Sequence, residues 1–126
     1  MMELDEFTRA YITAALWSST DGNDKPLDEN YSADDLAPET LARMVEDCAK
    51  FQTENAGDIT EENYEYESEY SAVELAGHDF WLTRNGHGTG FWDGDWKEPA
   101  ATRLDEASKR MGECDLYVGD DRKLYL

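Results

Sequence analysis

Apolar residues recur at spacings of three and four in two separate stretches, and this restricts the fold more than any other feature of the chain. Leu4, Phe7, Ala10, Tyr11, Ala14 and Trp17 form one stripe, and Leu41, Met44, Val45, Cys48 and Phe51 form another. One face of an α-helix carries such a spacing. The first stripe predicts a helix over Leu4–Trp17. The second predicts one over Pro38–Asn55, because Pro38 suits a first helical position, where its missing N–H is not needed. There Arg43, Glu46, Asp47 and Lys50 fall on the opposite, solvent-facing side. Pro99 to Met111 shows the pattern again, with Leu104, Ala107 and Met111 inward and Gly112 as the stop.

The stretch Thr60 to Gly77 reads two ways. Tyr66, Tyr70 and Val73 fit a helical stripe, while tyrosines alternating with Glu65, Glu67 and Glu69 fit a strand. The helix-forming tail Ser71 to Ala76, followed by Gly77, favours a helix that ends at Gly77. Beyond it the aromatic runs Asp79–Arg84 and Gly90–Asp93 flank Asn85-Gly86, a strong two-residue turn signal, and predict a β-hairpin over Asp79–Asp93. In that hairpin Trp81 would lie on the face away from the helices, partly open or covered by the loops. A second hairpin is expected over Asp115–Leu126, turning at Gly119-Asp120-Asp121. The expected architecture is α+β: three main helices packed on a small antiparallel sheet built from two β-hairpins. At 126 residues the chain makes a single domain, with an acidic helical half (1–76) and a hairpin–helix–hairpin half (77–126).

Charge narrows the function classes. Thirty Asp and Glu against eleven Lys and Arg leave a formal net charge of -19. Direct nucleic-acid binding, which needs cations against phosphates, is thereby disfavoured. Residues 1–76 hold 20 acids and 4 bases, residues 77–126 hold 10 and 7. No apolar run approaches a membrane span, and the opening MMELDEF is acidic where a secretory signal would be basic. These features predict a cytoplasmic protein with no membrane contact. Cys48 and Cys114 are too few for a disulfide framework and fit a reduced compartment as small buried hydrophobes.

Two places attract a functional reading. The first is the acidic run Glu61, Glu62, Glu65, Glu67, Glu69 and Glu74, which has no Lys or Arg within it, joined by Asp34, Asp35 and Asp58. Such a run is either a solvated face, an adaptation to high salt, or a mimic of nucleic-acid charge. On a helix, Glu61, Glu65 and Glu69 would recur about every 6 Å. The second is the predicted hairpin loop, where His78, Arg84, Asn85, His87 and Asp93 gather polar groups beside Trp81 and Trp92. It is the alternative site, for a small ligand-binding domain or enzyme. The two histidines are nine positions apart and match no metal-ligand spacing, so no metal and no cofactor are expected. No serine sits in a nucleophile elbow, so the protein is expected not to be an enzyme.

The run FTRAYITAALWSSTD from Phe7 to Asp21, Asp28-Glu29-Asn30-Tyr31-Ser32, GHDFWLTRNGHGTGFWD from Gly77 to Asp93, and GECDLYVGDD from Gly112 to Asp121 together resemble a family of small uncharacterised acidic proteins encoded by bacteriophages and prophages. That resemblance implies a role inside an infected bacterial cell. Taken together with this chain's acidic charge, that origin points to a non-enzymatic inhibitor acting by DNA mimicry, in an anti-restriction, anti-CRISPR or similar anti-defence role. The implied partner is a host protein with a basic nucleic-acid-binding surface, and a homodimer is a further expectation.

Overall fold

A computed structural model describes residues 4–126. It is mostly helical, with a small two-stranded antiparallel sheet, an α+β arrangement. The reading of the MMELDEF opening as no secretory signal rests partly on residues 1–3, which lie outside the described residues. Helix α1 (Glu6–Ser18) starts at Asp5, whose carboxylate accepts from the Thr8 N–H at 2.8 Å. Helix α2 spans Pro38–Asn55, the range its sequence stripe and N-terminal proline predict. Helix α3 covers Ala72–Arg84 and α4 covers Ala100–Arg110. The chain closes with β1 (Tyr117–Val118) and β2 (Leu124–Tyr125), paired Tyr117↔Tyr125 and Val118↔Leu124 around the predicted turn. Among the described residues no helix is long and apolar enough to cross a membrane.

The hairpin predicted over Asp79–Asp93 does not form, because Asp79 to Arg84 are the second half of α3. The physical reason is burial on every side. Phe80 packs on Phe51 (ring centroids 4.1 Å apart) and on Phe7, Trp81 meets Tyr11 edge-on, and Asp79 through Arg84 are all buried. A helix buried all round loses the 3.6-residue alternation of polar and apolar that would identify it. The expected start at Thr60 is also displaced. Glu61–Asn63 is one 3₁₀ turn and residues 65–70 are irregular. The helix begins only after Ser71, whose hydroxyl accepts from the Glu74 N–H.

Gly77, read as a stop, sits in mid-helix. A Cβ there would lie 2.2 Å from the carbonyl oxygen of Phe7, so glycine is what lets α1 and α3 approach. The stop is Asn85-Gly86, read as a hairpin turn. Gly86 takes φ 71°, its N–H donates to the Thr83 carbonyl, and the His87 N–H donates to the Leu82 carbonyl at 3.0 Å. These two bonds are the paired closure of a helix end in a left-handed residue. The tight-turn chemistry of Asn-Gly serves a helix terminus here in place of a strand reversal.

Candidate protein-binding surface

The acidic run is a loop fastened at its base. The carboxylate of Glu61 accepts from the Ala72 N–H at 2.8 Å, tying the start of the run to the N-terminus of α3. The Lys97 N–H donates to the Asn63 carbonyl and the Glu65 N–H to the Asp95 carbonyl, both at 2.7 Å. Between these bonds Tyr64 stands edge-on to Trp96, ring centroids 5.2 Å apart. Beyond them Glu62, Glu65, Glu67 and Glu69 are exposed, with Tyr66 62% and Tyr70 55% accessible between them. Because residues 64–70 are not helical, the even spacing expected of Glu61, Glu65 and Glu69 does not exist.

The ion pairs among the described residues join Arg43 and Arg84 to Asp47, Arg103 to Asp58 and Lys109 to Asp105, and His78 Nδ1 lies 3.6 Å from Asp79. No glutamate from Glu61 to Glu74 takes part in one. The nine acidic residues therefore divide. Asp58 is neutralised by Arg103, whose Nε and Nη2 donate to it at 2.9 and 2.6 Å and hold its carboxyl below the usual range. Asp35 accepts from the Ser32 N–H in a capping box, and Asp34 is exposed in the same short 3₁₀ turn. That turn leads into Leu36, which bridges to Leu124 of the C-terminal hairpin, whereas the acidic loop bridges to Trp96 through Tyr64. Glu61 caps α3, and Glu74 is half-buried on α3 itself. Glu62, Glu65, Glu67 and Glu69 remain as outward charges on one loop.

The residues of the alternative loop site do not converge. Trp81 is fully buried, its Nε1 donating to Ser18 Oγ at 2.9 Å. Arg84 is buried too: it donates to Asp47 (2.9 Å), Tyr11 Oη (3.1 Å), and the carbonyls of Met111 (3.0 Å) and Gly112 (2.7 Å). Asn85 accepts from the Cys114 N–H, and Asp93 from the Thr89 hydroxyl. Trp92 is exposed. His87 closes α3, whereas His78 stacks on Trp17 of α1, centroids 5.5 Å apart. Among the described residues no group of three or more His, Cys, Asp or Glu is placed to hold a metal ion. Burial pushes the thiols of Cys48 and Cys114 up, which keeps both protonated and poor nucleophiles at neutral pH.

One surface was not anticipated. Between α1 and α3 lies an open groove of about 680 Å³ with a mostly apolar lining, built by Ala10, Thr13 and Trp17 on one side and Tyr70, Leu75 and His78 on the other. Glu6, Arg9 and Glu74 complete its walls. The sequence held a signal for it in the width of the α1 stripe. Phe7, Tyr11, Ala14 and Ala15 fill the core, which leaves Ala10 half-buried and Trp17 41% exposed. Comparison with protein-family models, characterised proteins and solved structures finds no match for this chain.

Proposed function

We propose that the protein is a non-enzymatic binding protein that blocks the basic, nucleic-acid-binding surface of a host protein, with Glu62, Glu65, Glu67 and Glu69 standing in for backbone phosphates. The observation that carries this reading is a set of exposed carboxylates that pair with no cation among the described residues, on a loop pinned at both ends of its base. Charge left unpaired on a positioned loop accelerates encounter with a basic partner and favours it over neutral ones. The resemblance to phage- and prophage-encoded proteins suits an anti-defence role in the bacterial cytoplasm. In this reading the tyrosines Tyr66 and Tyr70 supply contact area where nucleic acid would offer bases.

The test is affinity capture from bacterial lysate at low salt, eluted with a salt gradient and compared with the Glu65→Gln/Glu67→Gln/Glu69→Gln variant. Glu61 is left intact because it caps α3. The wild type should retain a nucleic-acid-processing protein that nucleic acid displaces, and the variant should release it at clearly lower salt. Retention that ignores both salt and the three substitutions removes the proposal.

A further inference from the structure

We propose that the groove between α1 and α3 is the docking site for a basic amphipathic helix of a partner protein. Its α1 wall, from Glu6 to Trp17, is about 17 Å long at 1.5 Å per residue, which matches three turns of a docked helix. The α1 and α3 parts of its walls are helices in close approach at Phe7 and Gly77, and Tyr70 joins them from the irregular segment ahead of α3. Two large aromatics, Trp17 and Tyr70, stay open to solvent at this groove, and aromatics of that kind anchor interfaces.

Charge selects the occupant. Glu6 and Glu74 flank the apolar strip and the uncompensated glutamates of the acidic loop lead into it at Tyr70, so carboxylates outnumber Arg9, the arginine among the lining residues. A second copy of this chain would bring another net charge of -19, and an anionic bilayer would repel the face equally. A helix with leucine-like residues on one side and lysine or arginine at its margins satisfies both the strip and its rim. The groove adjoins the loop and shares Tyr70 with it, but its apolar strip is built on α1 and α3, so the inference goes beyond the function proposed above.

The test is isothermal titration calorimetry at 150 mM salt, about the physiological ionic strength, with a synthetic Leu/Lys peptide patterned to form an amphipathic helix. A scrambled peptide of equal composition and a Leu/Glu peptide of the same pattern serve as comparisons. The patterned Leu/Lys peptide should bind at least about tenfold more tightly than either, a difference of the size one anchor residue carries. Trp17→Ala and Thr13→Arg, both at exposed positions, should each weaken it about tenfold or more, whereas Trp92→Ala, which removes an exposed tryptophan outside the groove, should not. Equal binding of the scrambled peptide, or indifference to both groove variants, overturns the inference. So does loss of binding in the Glu65→Gln/Glu67→Gln/Glu69→Gln variant while Trp17→Ala retains it, a result that leaves the loop reading standing.

Discussion

Arg84 shows how much one side chain decides. Read in sequence beside Asn85, Gly86 and His87, it looks like a polar group in an exposed turn. In the fold it is a buried cation whose guanidinium joins α3 to α2 through Asp47, to α1 through Tyr11, and to the end of α4 through the carbonyls of Met111 and Gly112. Only a planar fork with several donors reaches that many acceptors, and lysine cannot replace it. Arg84→Met should cost about 1–3 kcal/mol, because Tyr11 and the half-buried carbonyls of Met111 and Gly112 lose their donor, while Asp47, 20% exposed, keeps water and Arg43. Urea unfolding of the wild type and variant at pH 7 measures this. A loss below about 1 kcal/mol would mean that water replaces the guanidinium. The polar cluster at the Arg84–His87 loop was legible in residue type alone, whereas the burial of Arg84 was not, because residue type does not reveal burial.

Among the elements, α2 and α3 mark the limits of pattern reading. The predicted and observed ranges of α2 agree because it lies on the surface, with one face against Phe7 and Phe80 and the other in water, so its alternation survives in sequence. Helix α3 runs through the centre, and its aromatics imitate a strand. Its boundaries were nevertheless written locally, in Ser71 three residues before Glu74 and in Asn85-Gly86. Gly77 gives a prediction at this scale. On an isolated helix Gly→Ala adds stability of about 1 kcal/mol, but Gly77→Ala should destabilise the protein by roughly 1–3 kcal/mol, since the new methyl group meets the Phe7 backbone. Thermal unfolding decides between the two signs. The C-terminal hairpin formed where its turn signal stood, whereas the loop of residues 64–70 follows neither the helical nor the strand pattern its sequence offers and takes its shape from Asp95, Trp96 and Ala72.

For the whole molecule the net charge of -19 opposes compaction, and the few basic residues do not relieve the acidic loop. Stability should therefore rise with added sodium chloride over the first few tenths molar, as screening shortens the reach of repulsion. Acid has two opposed effects. Asp95 is held above its ordinary value by partial burial and by the carboxylates of Asp93 and Asp79, so its protonation favours the folded chain, a gain that grows as pH falls and is complete below about 3.8. Asp58 is held below its ordinary value by Arg103, so its contribution is present above about 3.8 and is lost as pH falls further. Asp5 and Asp121 are likewise held below the ordinary value, so the fall of the melting temperature in acid should set in only as the pH drops through about 3.8. A melting temperature that falls steadily from pH 7 downward contradicts this balance.

The sequence by itself determined the surface helices, the caps and turn signals, the C-terminal hairpin and the concentration of acid in one half, because each depends on neighbours a few positions away. Tertiary structure decided the rest: that Asp79 to Arg84 are helical, that Arg84 and Trp81 are interior, that Asp58 is paired and Glu61 is a cap, and that a groove opens beside the acidic loop. Those outcomes depend on which distant groups share a volume from which water is excluded. Burial and pairing of that kind are properties of the packed chain that local pattern does not encode.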